Sequence, residues 1–162
     1  MTESVSLFDV EIDGLSASQK VSIDRLMAGE DPKTILGIGD RELEKVYASG
    51  HQLYASGQYR QALPLLTFVC TYQFGEPRYW LALGACRQMM KDFEGAITAY
   101  GLCYALNSQD PWPLIHTALC CLAKRDNEKA RDALLLAEQT NDTARKDQAV
   151  AERITALRSC LS

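Results

Sequence analysis

The side chains in this sequence that could bind a metal or act as nucleophiles are six cysteines and two histidines. A zinc site draws its ligands from clustered cysteines and histidines, and a disulfide framework needs an oxidising compartment. No two cysteines have the C-x-x-C spacing, and two histidines would leave a zinc site with an unusual ligand set. We therefore expect no metal and no cofactor, and we interpret the cysteines as reduced, small, buried hydrophobic side chains. They are Cys70, Cys86, Cys103, Cys120, Cys121 and Cys160.

The two histidines do not form a catalytic set with other residues. Neither His51 nor His116 has a Cys, Ser or Asp at a spacing that would supply a nucleophile or an acid–base partner. The sequence also has no phosphate-binding loop and no H-E-x-x-H motif. A lone histidine on a helix more often packs or lies at the surface than acts in catalysis. The sequence therefore predicts a protein that is not an enzyme.

Composition and charge favour a soluble domain that neither binds nucleic acid nor inserts into a membrane. The chain has 162 residues, 47% of them hydrophobic, and no stretch approaches the roughly 18 apolar residues of a membrane span. The first residues, MTESVSLFDVEID, carry acids where a secretory signal carries bases, so we expect a cytosolic protein. Residues 1–31 have a net charge of −5 and the remainder +1, without the clustered basic face that nucleic-acid binding requires.

A repeat of 34 residues supplies the elements that would position a binding site. Glu76-Pro77 recurs as Asp110-Pro111, and three units align without a gap at residues 43–76, 77–110 and 111–144. Small residues stand at the eighth and twentieth positions of every unit: Gly50, Gly84 and Ala118, then Ala62, Ala96 and Ala130. This period is that of the tetratricopeptide repeat, in which each unit is a pair of helices.

Each unit divides into two helical runs around a short polar break, SGQY (56–59), KDFE (91–94) or RDNE (125–128). The second unit fits the tetratricopeptide pattern W-x-x-L-G…A-x-x-x-F/Y, and we expect Trp80, Phe93 and Tyr100 to fill the space around Gly84 and Ala96. The predicted fold is all-α, with three tandem tetratricopeptide helix pairs that form a concave superhelical groove.

Helical segments flank the repeats on both sides. Residues 1–40 read as an acidic arm with a short helix at about 17–28, begun by the capping box S-A-S-Q and ended by Gly29. After a short helical turn that starts at Asp31-Pro32, Asp40 is placed to cap the first repeat helix. Residues 145–162 read as an amphipathic helix that caps the solenoid, with its apolar stripe at Val150, Ile154, Leu157 and Leu161.

The candidate binding residues lie on the first helix of each unit, which lines the concave side in this repeat type. The second, fifth, ninth and twelfth positions share one helical face, and most of them are apolar or aromatic here. Exposed apolar surface of that extent usually marks a binding site. The candidates are Tyr47, His51, Tyr54, Leu81, Ala85, Gln88, Trp112, Ile115 and Leu119, with Glu44, Arg78 and Leu122 at the remaining positions. In the alternative arrangement the C-terminal helix folds back and covers Leu119 and Leu122.

Three segments resemble one bacterial family, the class II chaperones of type III secretion: TIL…LEKVYASGHQLYASGQYRQAL, LGACRQMMKDFEGAITAY and DPWPLIHTALCCL. The resemblance implies a non-enzymatic protein that binds hydrophobic, pore-forming translocator subunits in the bacterial cytosol and keeps them soluble and unassembled. It matches Tyr47 and Tyr54 to the family's groove tyrosines, and it departs at His51, where the family often has an aromatic residue. It also implies a homodimer formed through the helix at about 17–28, and it adds a transcriptional regulator or the export apparatus as further partners. The apolar residues of that helix are Val21, Ile23, Leu26 and Met27.

Two other roles are open to tetratricopeptide proteins. A carboxylate-clamp cochaperone is disfavoured, because such clamps use Lys and Asn at inward positions where Tyr47, His51, Leu81 and Ala85 stand here. An adaptor that joins components of an assembly without shielding a client is the alternative to the chaperone. A chaperone should solubilise its partner, whereas an adaptor should leave its partner's solubility unchanged.

Overall fold

The computed structural model describes residues 21, 24–25, 28–144 and 146–161. Every regular element among them is a helix, which confirms the all-α prediction. Within these residues, no helix combines the length and apolar character needed to cross a bilayer. The chain divides into two compact units, residues 1–39 and residues 40–162.

In the first unit, Val21, Asp24 and Arg25 are helical and the chain leaves the helix at Gly29, whose φ is +83°. A short helix, α1 (Pro32–Ile35), follows, and the Asp31 carboxylate caps it by accepting from the Lys33 N–H at 3.1 Å. Both features match the sequence expectation. The side chain of Val21 is 56% exposed. Residues 1–20 and the predicted dimerisation residues Ile23, Leu26 and Met27 lie outside the described residues.

The second unit contains three consecutive helix pairs and a further helix. The pairs are α2 (Asp40–Ala55) with α3 (Tyr59–Tyr72), α4 (Pro77–Met89) with α5 (Phe93–Leu106), and α6 (Trp112–Ala123) with α7 (Asn127–Ala144). The last helix is α8 (Gln148–Ser159). Asp40 is the first residue of α2 rather than the residue before it. An acid in this first turn still favours the helix, since it faces the positive end of the helix dipole.

The turn within each pair repeats one backbone conformation. Gly57, Lys91 and Arg125 stand at the same position of successive repeats, and their φ angles are +79°, +65° and +62°. This left-handed conformation closes many helix C-termini and favours glycine, because a Cβ there costs roughly 1–2 kcal/mol. The fold therefore imposes the conformation even in the two units whose sequence has lost the glycine.

Close crossing of the paired helices depends on the small residues at the eighth and twentieth positions, as predicted. A Cβ added to Gly84 would lie 2.6 Å from Cε1 of Tyr100, which is itself 1% exposed. Ala62, Ala96 and Ala130 are fully buried. Phe93 packs against the cluster formed by Ala96 and Tyr100.

Trp80 does not fill the crossing, contrary to expectation. Its indole N–H donates to the carbonyl oxygen of Phe74 at 2.7 Å, and its ring meets the Phe74 ring edge-on at 5.1 Å. The half-buried Trp80 thus packs on the linker between α3 and α4, while the neighbouring Tyr79 is 1% exposed.

The C-terminal helix α8 completes the apolar core of the third pair. Its residues Val150, Ile154 and Leu157 are buried in one cluster with α6 and α7. Asp147 caps α8 by accepting from the Ala149 N–H at 2.8 Å, and a bidentate pair between Arg158 and Glu138 ties α8 to α7 at 3.0 and 2.7 Å. The stripe read from the sequence is therefore the face that α8 buries.

All six cysteines are free thiols, and all but Cys160 are buried. Burial raises the pKa of Cys70 to about 12, so this thiol stays protonated and unreactive. The interpretation of the cysteines as small core residues is confirmed for the five buried ones, whereas Cys160 is exposed.

Candidate peptide-binding site

Three rings form a row along one face of α2. Tyr47, His51 and Tyr54 are spaced four and three residues apart, which places them on one side of the helix. The centroids of Tyr47 and His51 are 5.9 Å apart, and those of His51 and Tyr54 are 6.2 Å apart. His51 is exposed and the two tyrosines are half-buried, so part of each ring is accessible to a partner.

Two further tyrosines support this row from neighbouring helices. The Tyr79 ring of α4 lies 4.8 Å from the Tyr47 ring, and the Tyr59 ring at the start of α3 lies 5.6 Å from the Tyr54 ring. Neither Tyr79 nor Tyr59 was among the candidate binding residues that the sequence indicated. No repeated pattern could have revealed Tyr79, because the other units have Lys45 and Pro113 at its position.

A charged pair closes one end of the row. Two nitrogens of Arg78 donate to the two carboxylate oxygens of Glu44 at 3.1 and 2.5 Å, and the hydroxyl of Tyr79 donates to the same carboxylate at 3.2 Å. The hydrogen bond from Arg78 holds the pKa of Glu44 below its ordinary value. The guanidinium carbon lies 5.2 Å from the Tyr47 ring centroid and 5.0 Å from that of Tyr79. Cation and rings are thus in favourable contact.

The second pair contributes Leu81, Ala85 and Gln88, all half-buried. The hydroxyl of Tyr100 donates to Oε1 of Gln88 at 2.7 Å, so this amide is already held by a core residue. Leu81 is partly buried and packs against the cluster that contains Tyr100. Leu81 and Ala85 therefore supply the apolar part of this stretch, and Gln88 a fixed polar end.

In the third pair only part of the predicted surface is accessible. Trp112 is 36% exposed, whereas Ile115 is 1% exposed in the core that α6, α7 and α8 share. Leu119 and Leu122 are half-buried and pack against the same core. Ile115 thus departs from the expectation that it lines an accessible face, whereas Leu119 and Leu122 keep partial exposure.

His116 is a packing residue. Its ring stacks on Tyr100 with the centroids 5.1 Å apart and the planes 20° apart, and the centroid of the Trp112 ring lies 6.5 Å from that of His116. Burial, followed by the positive charge of Arg153, lowers the pKa of His116 below its ordinary 6.5, which favours a neutral ring. Among the described residues, no group of three or more His, Cys, Asp or Glu side chains is placed to hold a metal ion.

A cavity of about 450 Å³ opens beside the row of rings, between the turn of the first pair and the end of α4. Gln58, Tyr59, Arg60 and Met90 are among the residues that line it. Tyr59 therefore lines the cavity, and its ring also contacts the ring of Tyr54.

Comparison with known proteins places this geometry among secretion chaperones. A tetratricopeptide repeat family model matches residues 77–110. The chain is 30% identical to chaperone protein SicA of Salmonella typhimurium over 128 residues, which are 78% of either protein. It also matches the type III secretion chaperone SycD of Yersinia enterocolitica in complex with a peptide of the translocator YopD. The TM-score is 0.71 and the identity 27%, over 76% of this chain and 95% of SycD.

A third match is PcrH of Pseudomonas aeruginosa in complex with the chaperone binding region of PopD. The TM-score is 0.72 and the identity 27%, over 77% of this chain and 94% of PcrH. SycD has also been solved in a form described as an alternative dimer. These relatives share the repeated helix pairs described above, and the predicted tetratricopeptide fold is thereby confirmed.

Proposed function

Because this chain belongs to the class II chaperones of type III secretion, the family of SicA, SycD and PcrH, we propose that it binds hydrophobic, pore-forming translocator subunits and keeps them soluble and unassembled before export. The observation that carries the proposal is the row of partly accessible rings on α2, Tyr47, His51 and Tyr54. SycD was solved with a peptide of the translocator YopD, and PcrH with the chaperone binding region of PopD, which supports the proposal.

The groove we propose continues from this row to Leu81 and Ala85 of α4 and to Trp112 of α6, all partly accessible. A tyrosine offers a broad apolar ring with a polar tip, which suits an extended peptide whose backbone remains polar. Such a groove can hold a segment by contact alone and release it unchanged. The role we propose is therefore non-enzymatic, requires no cofactor and takes place in the bacterial cytoplasm.

Co-expression tests the proposal directly. This chain should be produced in a bacterial host together with each hydrophobic open reading frame encoded beside it, and the soluble fraction of each partner measured with and without the chaperone. We expect one or more partners to move from the pellet to the supernatant and to co-purify with this chain. A partner that co-purifies at unchanged solubility would instead support the adaptor role.

We further propose that the chain forms a homodimer through the helix at about 17–28. Val21 is 56% exposed and so is accessible to a partner copy, and the relative SycD has been solved in a form described as an alternative dimer. Deleting residues 1–30 is expected to shift the mass measured by light scattering from dimer to monomer, with the helical circular dichroism of the repeats retained. An unchanged mass would place the interface on the repeats.

A further inference from the structure

Glu44 and Arg78 occupy the same position in successive repeats, on α2 and α4 respectively. These two helices belong to different pairs, and each packs mainly against its own partner. The Glu44–Arg78 pair, joined by bonds of 3.1 and 2.5 Å, is therefore a direct side-chain link across the seam between the first and second repeats. It lies at the Tyr47 end of the proposed groove.

Four side chains contact one another in a closed cluster at this seam. Arg78 bonds to Glu44, Glu44 accepts from the hydroxyl of Tyr79, the Tyr79 ring contacts the Tyr47 ring at 4.8 Å, and the guanidinium lies over both rings. Burial raises the pKa of the Tyr47 hydroxyl, while the charge of Arg78 lowers it and the charges of Glu44 and Glu76 raise it, so Tyr47 lies within the electrostatic reach of all three side chains.

We propose that Glu44 and Arg78 are positioning residues of the groove: together they hold the Tyr47 ring against Tyr79, and with Glu76 they leave no unpaired positive charge, so that an acidic client residue is disfavoured at this end. This inference rests on the proposed function. The planar guanidinium is essential to it, because it bonds to both carboxylate oxygens while stacking on the rings, which a lysine ammonium does not do.

The charge balance gives the pair a specificity role. Apart from Glu44, the acid nearest to Arg78 is Glu76, whose carboxylate lies 3.5 Å from Nε. Arg78 thus has two carboxylate partners, and replacing Glu44 by glutamine removes one negative charge from the end of the row. That end should then tolerate an acidic client residue better than the wild type does.

The first test reads the Tyr47 ring without any client. The protein is labelled with 3-fluorotyrosine, and its fluorine signal for Tyr47 is assigned by Tyr47→Phe. Glu44→Gln is expected to move the Tyr47 signal, and Glu44→Gln combined with Arg78→Gln is expected to move it by less than the sum of the two single shifts, because each substitution breaks the same ion pair. Glu138→Gln is the matched control, since the Glu138–Arg158 pair is also bidentate and half-exposed but lies between α7 and α8. A Tyr47 signal that stays in place in Glu44→Gln overturns the proposal.

The second test uses a peptide covering the chaperone binding region of PopD, and a copy with one neutral residue replaced by Glu at each position in turn. Glu44→Gln is expected to weaken binding of the parent peptide about fivefold and, at one or more positions, to lose less affinity than the wild type does when Glu is introduced. Equal losses in the two proteins at every position overturn the specificity role. If the wild type binds neither this peptide nor a co-expressed translocator, the proposed function fails, while the fluorine result still decides whether the pair positions Tyr47.

Discussion

Gly84→Ala is expected to lower the free energy of unfolding by about 1–3 kcal/mol, even though alanine favours a helix over glycine by about 1 kcal/mol. The added Cβ would lie 2.6 and 2.7 Å from two ring carbons of Tyr100. That ring has little freedom to retreat, because it is 1% exposed, stacks on His116 and is held by a hydrogen bond from its hydroxyl to Gln88. The α4–α5 crossing must therefore open to admit one methyl group.

Gly101→Ala is the matched control, on the other helix of the same pair. Gly101 lies inside α5, is exposed, and has no atom within 4 Å of an added Cβ. The same substitution should therefore raise stability by up to about 1 kcal/mol through helix propensity alone. In thermal melts followed by circular dichroism, the two variants should shift the midpoint in opposite directions, by roughly 2–4 °C per kcal/mol for a chain of this size. Two shifts of the same sign would contradict the close crossing at Gly84.

Spacing alone was sufficient to predict the parts of the fold that recur. The small residues Gly84 and Ala96 could be assigned to a helix crossing because equivalent residues stand 34 positions away in the neighbouring units. The helix α8 could be predicted from the period of its apolar stripe, since Val150, Ile154 and Leu157 all enter one core. The helix crossing follows from a rule that every repeat obeys, whereas α8 occurs once and was predictable from its own helical period.

The repeat pattern could not predict features that occur in one unit only. Tyr79 rather than Trp80 enters the core, and the Trp80 indole donates instead to the linker carbonyl of Phe74. The bond between Glu44 and Arg78 requires the distance across a seam between repeats. Sequence periodicity gives the face on which a side chain lies but not its separation from the next helix.

The third unit shows why position within a repeat does not guarantee accessibility. Ile115 has the same position as Tyr47 and Leu81, but the last unit has no following repeat, and α8 packs there instead. The core built around α8 buries Ile115, while Trp112, three residues earlier, remains 36% exposed. The accessible part of the proposed groove is therefore weighted toward the first two units.

Because the accessible part of the proposed groove lies mainly in the first two units, the double variant Tyr47→Ala with Tyr54→Ala is the sharpest test of the groove. Truncated aromatic anchors typically cost about 1–3 kcal/mol of binding free energy, which corresponds to roughly 5- to 150-fold weaker binding. The measurement is a titration with the chaperone binding region of PopD, or with a translocator obtained by co-expression. Because both rings also contact neighbouring tyrosines, at 4.8 and 5.6 Å, some stability will be lost as well.

Tyr72→Ala separates loss of binding from loss of stability. Tyr72 is half-buried like Tyr54 and also has one close ring partner, Phe68 at 4.6 Å, but it lies at the end of α3, outside the proposed groove. We expect it to lower the melting midpoint about as much as either groove tyrosine does singly while leaving the titration unchanged. If Tyr72→Ala weakens binding as strongly as the groove variant, the loss reflects stability, and the row on α2 is not the client site. A groove variant that binds with full affinity would exclude Tyr47 and Tyr54 as anchors.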